Sequence, residues 1–339
     1  MPSIELPFSV NFENPGTFKN AVVIAGDANY FRPGMLLARQ IISSEKDRKF
    51  DVCVLCTEDI YVPPELVNGL RVGRVTINDT DQFRVDGRIS IEAYIRIFLP
   101  HLLSEYDRIC YLDADIFLRR QGLQEIFESD LTGCAIGAVR DSNLWGTSKK
   151  RRSLRRYTKR VAKMPDRYFN SGMLLLDGQK YRDILPADEA AERIKTNRHL
   201  LKMHDQSFLN MIFSHRYKLL SPRYNFPMSD EYIDILEQAD PILLHFVSGG
   251  KPWYSTNNPK RIPYFDKYKE FLSEHFGIND FSIKNVSHLN RQDYVKYKNP
   301  IREYVTRRLA LLRLRKAKSR ALAAWHDQMR QVGGMDRDV

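Results

Sequence analysis

The sequence predicts an α/β domain. Two observations carry that reading: short apolar runs alternate with helix-period segments, and polar turns sit between them. A third refines it: an acidic pair directly follows one of the apolar runs, where α/β sheets bind ligands. Ala21 to Ala25 reads as a buried first strand, Gly26 to Tyr30 as a polar turn and Pro33 to Ile42 as a helix. Asp51 to Cys56 is a second strand. Ser90 to Leu103 reads as an amphipathic helix leading into the strand Arg108 to Leu112. Cys134 to Val139 and Gly172 to Leu176 are further strands, His204 to Ser214 a helix, and Ile242 to Phe246 a late strand. From about residue 285 the chain turns polar, basic and aromatic, with a helix-prone stretch over 302–331. The expected organisation is a catalytic domain over 1–284 and a basic, partly helical tail over 285–339, with no repeat of fixed period.

Composition excludes several classes. A 43% apolar content over 339 residues suits one large folded domain and not a disordered chain. Four cysteines in this length do not make a disulfide scaffold. No apolar run reaches the roughly 18–20 residues that span a bilayer. The start Met1-Pro2-Ser3-Ile4-Glu5 lacks a basic stretch followed by an apolar core, so a cytoplasmic location is expected.

The net charge of +11 is unevenly placed. Residues 149–163 carry +9 with no acid, and residues 302–320 carry +7, which leaves the rest of the chain at −5. Such runs attract phosphate on nucleic acid, anionic lipid or an acidic saccharide, or else form a solvated face. In 301–314, Ile301, Tyr304, Val305, Leu309, Leu311 and Leu312 gather on one side of a helical wheel, with Arg308 intruding. That imperfect amphipathic pattern fits either an interfacial membrane helix or a helix docked on the domain.

Three motifs fail on spacing. Cys53 and Cys56 have CxxC spacing inside a strand, where positions i and i+3 face opposite ways, and they read as buried structural cysteines. Ser248-Gly249-Gly250-Lys251 lacks the earlier glycine of a phosphate loop, and Pro252 replaces its Ser/Thr. No GxGxxG follows the first strand, and no HExxH occurs.

Asp113-Ala114-Asp115 is the strongest constellation. In extended geometry residues i and i+2 face the same way, so two carboxylates project together from a strand end and repel unless a cation joins them. Hard oxygens suit Mg²⁺ or Mn²⁺, which can bridge a diphosphate.

Tyr111-Leu112-Asp113-Ala114-Asp115 resembles the metal-binding signature of retaining family 8 glycosyltransferases, which include bacterial lipopolysaccharide galactosyl- and glucosyltransferases. Further segments match in order. Val23 to Tyr30 is similar to the family's opening nucleotide-binding strand and turn, and Tyr94-Ile95-Arg96 to the segment whose Arg reaches the sugar nucleotide. Phe169-Asn170-Ser171-Gly172 resembles the Asn-Ser/Ala-Gly strand, and His204-Asp205-Gln206 the Asp-Gln helix start. His245-Phe246 with Lys251-Pro252-Trp253 resembles the last motif. The family usually carries Gly three residues after that His; here Ser248 stands there, with Gly249 next, so the glycine is shifted by one or lost.

The resemblance implies a GT-A-type single domain with a Rossmann-like mixed sheet. It implies transfer of a hexose from UDP-galactose or UDP-glucose to a hydroxyl of a saccharide acceptor, with retention, in lipopolysaccharide or another surface glycan. Asp113, Asp115 and His245 would hold the ion, and an imidazole beside two carboxylates favours Mn²⁺ over Mg²⁺. Ala25, Asp27, Asn29, Tyr30 and Ala114 would line the nucleotide site, with Asp27, Asn29 and Tyr30 on uracil and ribose. Arg96, Ser248, Gly249 and Lys251 would reach the diphosphate or donor sugar, and Lys251 would stabilise the leaving group. Asn170, Ser171 and Asp205 would contact sugar hydroxyls, with Gln206 near the anomeric carbon. Front-face departure and attack is favoured over double displacement, because Gln206 is a poor nucleophile. Similar tails in the family imply peripheral attachment through 295–325, helped by 149–163, to the cytoplasmic face of an anionic membrane, close to a lipid-linked acceptor. The alternatives are a sugar-phosphate nucleotidyltransferase, an inactive membrane-associated relative, or a nucleic-acid-binding protein. A nucleotidyltransferase would show a Gly-rich basic loop after its first strand, and none is present. The acidic remainder and the lack of a reading motif count against nucleic acid.

Overall fold

The computed structural model describes residues 6–79, 83, 91–144, 148–229, 232–247, 251–254, 256, 258–281 and 318–332. Ser248, Gly249 and the tail before residue 318 lie outside them.

In order, the elements are β1 (Phe8–Phe12), β2 (Asn20–Gly26), α1 (Ala28–Ser44), β3 (Asp51–Cys56), α2 (Pro64–Val67), β4 (Arg71–Ile77), α3 (Ile95–Leu102), β5 (Arg108–Leu112), β6 (Ile116–Leu118) and β7 (Ile136–Arg140). They continue with α4 (Ser148–Val161), β8 (Phe169–Asp177), α5 (Gly178–Ile184), α6 (Ala187–Asn197), α7 (His204–Phe213), β9 (Lys218–Leu219), β10 (Phe226–Pro227), α8 (Leu236–Ala239), β11 (Leu243–His245) and α9 (Ile262–Phe276). A helix over 318–332, here α10, is the last described segment.

The main sheet has the order β1-β4-β3-β2-β5-β8-β7-β9, and a small second sheet has the order β10-β11-β6. β4, β3, β2 and β5 run parallel, and β8 is antiparallel to both β5 and β7. β7 therefore points the same way as β5, and the start of β8 lies at the edge where β2, β5 and β7 end. That shared edge gathers the site.

Every residue of β3 is buried, as expected where helices cover both faces of a parallel sheet. Alternation within β2 feeds two cores: Val22 and Ile24 join Met35, Ile41 and Leu244, while Ala21 and Val23 join Phe98, Leu174 and Phe208. The cysteines of β3 divide the same way, Cys53 with one core and Cys56 with the other. They are buried and unbonded to each other, and burial pushes their thiols up, Cys53 to about 12 and Cys56 to about 11.

The expected turn at 26–30 is instead a helix start. Asp27 caps α1, its Oδ1 accepting from the backbone N–H of Asn29 at 2.9 Å and of Tyr30 at 3.1 Å. The helix thus begins five residues before Pro33 and tolerates it near its N-terminus. The segment 90–103 is split into a 3₁₀ turn, Ile91–Tyr94, followed by α3. β1, which adds to the sheet through β4, has only an alternating pattern too short to recognise in sequence.

The basic run 149–163 is mostly α4. At the chain's end α10 packs on the domain: Trp325 meets the Phe226 ring edge-on at 5.4 Å, and Ala321 and Gln328 are buried. Of the stretch 295–325 expected at a membrane surface, residues 295–317 lie outside the described residues and 318–325 belong to α10.

Candidate functional site

β2, β5, β7, the start of β8, the start of α7 and the end of β11 surround an open cavity of about 320 Å³. Its wall includes Ala25, Asp27, Tyr30, Arg96, Asp113, Ala114, Asp115, Asn170, Ser171, Asp205, Gln206, His245 and Lys251 from the set singled out in sequence. Asn29 is exposed in the first turn of α1 and is not on that wall.

The acidic pair is held from two sides. Asp113 Oδ1 accepts from Tyr111 Oη at 2.8 Å and pairs with the Arg96 guanidinium at 2.9 Å. Asp115, almost fully buried, pairs with the Lys251 ammonium through Oδ2. Burial opposes ionisation of Asp115, yet Lys251 and His245 outweigh it and hold the carboxyl well below the usual range. Burial likewise opposes the charge on Lys251, and Asp115 overrides it, raising the ammonium above its ordinary value.

His245 sits between the two acids, its Nε2 at 3.3 Å from Asp115 Oδ1 and 3.6 Å from Asp113 Oδ2. Its Nδ1 lies 2.8 Å from Asn225 Oδ1. Asn225 spends its amide N–H on Asn170 Oδ1 at 2.9 Å, which leaves its Oδ1 as an acceptor for the imidazole N–H. Nε2 is then the nitrogen that faces the two carboxylate oxygens. One donor atom from each of Asp113, Asp115 and His245 lies within 4.8 Å of the others. Two carboxylates so placed repel unless a cation lies between them, and a ligating His held at its other nitrogen is the usual arrangement at such ions. The residues fit a divalent ion.

Gly172 keeps this space open. A Cβ there would lie 2.3 Å from His245 Cε1 and 2.6 Å from Asp113 Oδ2. The Asp113 N–H also donates to the Gly172 carbonyl at 2.8 Å, which locks the β5 end to β8.

Opposite stands a hydrogen-bonded wall. Gln206 Oε1 accepts from Asn170 Nδ2 at 3.1 Å and from the Ser171 N–H at 3.3 Å. Gln206 Nε2 donates to Asp141 Oδ2 at 2.8 Å. Asp205 Oδ2 accepts from Ser171 Oγ at 2.7 Å and pairs with Arg96 Nε at 3.2 Å. Burial raises the Asp205 carboxyl, with Arg96 opposing. Arg96 is therefore a buried link between Asp113 and Asp205, over the Tyr111 ring at 4.5 Å, and not a solvated helix residue. His204, directly before Asp205, has φ +46°, a left-handed backbone that a non-glycine residue adopts at a cost.

Asp141 and Asn225 were not singled out in sequence, and Gly172 appeared there only within a strand and the Asn-Ser-Gly motif. Asp141 follows an apolar strand as Asp113 does, so the strand-end criterion that found Asp113 could have found it. Asn225, in the short turn before β10, carries no such signal.

The sequence model of Glycosyl transferase family 8 matches residues 21–257. The glycosyltransferase GlyF of Streptococcus pneumoniae serotype 4 is 25% identical over 286 residues, 79% of this chain and 67% of GlyF. Of GlyE from the same organism the alignment spans 57%, a little over half its length. The lipopolysaccharide 1,2-glucosyltransferase of Escherichia coli K12 is 25% identical over 60% of this chain and 68% of its own. Among solved structures, the galactosyltransferase LgtC, in complex with donor and acceptor sugar analogues, superposes with a TM-score of 0.62 at 21% identity, covering 76% of this chain and 97% of LgtC. The fold is of that GT-A type.

Proposed function

The chain belongs to glycosyl transferase family 8, and we propose that it moves a hexose from UDP-glucose or UDP-galactose to a saccharide hydroxyl with retention of anomeric configuration. The observation that carries this is the convergence of Asp113, Asp115 and His245 donor atoms within 4.8 Å, beside Lys251, on the wall of an open cavity. These three residues would hold Mn²⁺, with Mg²⁺ as the alternative, and the ion supplies positive charge to the diphosphate when bound. Lys251 would add a second positive charge where negative charge grows as UDP departs. Tyr30, 37% exposed and braced edge-on by Trp253 at 5.5 Å, would offer its ring to the base, with Asp27 beside it.

On the other wall, Asn170, Ser171 and Asp205 would orient the hexose, with Gln206 beneath the anomeric carbon. Gln206 is an amide fixed at both ends, and the Asp205 carboxylate is engaged by Ser171 and Arg96. Neither is poised as a nucleophile. That supports front-face departure and attack, with a UDP phosphate oxygen taking the acceptor proton.

The lipopolysaccharide 1,2-glucosyltransferase relative supports an acceptor in lipopolysaccharide or another surface glycan. Among the described residues no helix is long and apolar enough to cross a membrane. The tail ahead of α10 would bring the enzyme to a lipid-linked acceptor at the cytoplasmic face of an anionic membrane, through the basic residues of 302–317. The test of the reaction is a donor screen by nucleotide release with Mn²⁺ present. UDP-hexose turnover, with GDP- and ADP-hexoses unused, is expected; turnover of a purine donor in preference would overturn the reading.

A further inference from the structure

α4, which carries most of the +9 run over 149–163, is fastened to the cavity wall opposite the acidic pair. Tyr157 Oη donates to the Leu200 carbonyl at 3.0 Å, accepts from the Lys202 N–H at 3.0 Å and touches Ser207 Oγ, the residue after Gln206. Val161 and Ala162 are buried, with Ala162 packed against Leu144 and Tyr168. Leu144 ends the turn Ser142–Leu144, whose Ser142 and Asn143 line the cavity. Met203, 40% exposed, lines it too. α4 thus stands at the rim where Gln206 lies.

Its outward face is a cationic array. Arg152, Arg155, Arg156 and Lys159 fall at spacings of three and four residues and, with Pro165 and Asp166, line a shallow recess. Residues so spaced are neighbours on a helix, and like charges there repel. Asp166 Oδ1 is engaged by Arg155 Nε at 2.9 Å and NH2 at 2.6 Å. Among the described residues Arg156, Lys159, Arg160 and Lys163 are exposed and have no carboxylate within ion-pair distance. A bound dianion would relieve this repulsion, and arginine's planar fork matches phosphate geometry.

We propose that the α4 face binds a phosphate group carried by the saccharide acceptor, next to the sugar whose hydroxyl reacts in the cavity. The proposal rests on the transferase reading for what enters the cavity and adds the charge class of the acceptor. A saccharide-borne phosphate fits better than a flat lipid surface because α4 is fastened to two segments that line the cavity, the turn Ser142–Leu144 and the start of α7.

The experiment titrates the full chain with glucose 1,6-bisphosphate by calorimetry, with glucose as the neutral control. The Arg156→Ala/Lys159→Ala double variant is compared with Lys269→Ala on the exposed face of α9, and circular dichroism confirms that each is folded. Saturable binding of the bisphosphate and not of glucose, weakened about tenfold or more in the double variant, unchanged in Lys269→Ala and reduced by salt, is the expected result. Equal binding by the double variant and wild type overturns the proposal. Phosphatidylglycerol vesicles that retain wild type but release the double variant, without bisphosphate binding, would instead make α4 a membrane surface and overturn it. UDP-hexose turnover with no α4-dependent phosphate binding refutes this inference alone, whereas such binding without UDP-hexose turnover refutes the reaction and leaves the anion site standing.

Discussion

The two walls of the cavity are built on different physics. The wall at β5 and β11 concentrates charge: two carboxylates and an imidazole converge, balanced by Lys251 and Arg96. The wall at β7, β8 and α7 is satisfied from within, since Gln206, Asn170, Ser171, Asp205 and Asp141 spend their hydrogen bonds on one another or on Arg96. The first wall gains most from an added cation and a diphosphate. The second is rigid before any sugar arrives, which is what precise orientation of a donor requires. Losses on the first wall should therefore fall on catalysis, and losses on the second should also fall on stability.

The largest effect is expected at the acidic pair. Asp113→Asn or Asp115→Asn should lower turnover by about 10³-fold or more, as removal of leaving-group stabilisation does. Near-normal UDP release by either variant would break the comparison. Lys251→Ala should come next, at about 10²-fold, mostly in kcat, because the charge it meets grows in the transition state. Raised KM at unchanged kcat would make the lysine a binding residue only. Gly172→Ala should raise the Mn²⁺ concentration needed for half-maximal activity by about 10-fold or more, since its methyl meets His245 and Asp113. On the second wall, Asp141→Ala leaves the Gln206 amide and the Asn143 N–H without their acceptor. A loss of about 1–3 kcal/mol in urea unfolding is expected, together with lower turnover. Unchanged stability would show that the wall is not rigid in this way.

The smallest effect concerns the strand cysteines. Their folded thiols are raised above the unfolded value, Cys53 to about 12 and Cys56 to about 11. Their contribution to stability is whole below the unfolded pKa and is lost as pH rises through those folded values. At pH 8 native Cys53 and Cys56 should resist iodoacetamide and react only on unfolding. Rapid labelling of either in the native state would contradict their structural role.

Much of the first wall was legible because strand-end acids, a late His and a nearby Lys sit in contiguous motifs. β3 and β5 were readable to the residue, since strands buried on both faces leave unbroken apolar runs. The second wall was legible only in part. Asn170 and Gln206 stood out, but Asp141 meets Gln206 across 65 positions of chain, and Asn225 reaches His245 across 20. Such pairings are products of topology and leave no local pattern. The cap on α1 was hidden for a related reason: Pro33 suggested a helix start, but the Asp27 cap had already begun the helix at Ala28, five residues earlier.

The most direct measurement is UDP release from UDP-glucose and UDP-galactose as Mn²⁺ is titrated into chelator-treated full-length protein, with Asp115→Asn alongside. Activity that is absent in chelator, rises to saturation with Mn²⁺ and fails to return in Asp115→Asn is the predicted result. Full activity in excess chelator would contradict the account.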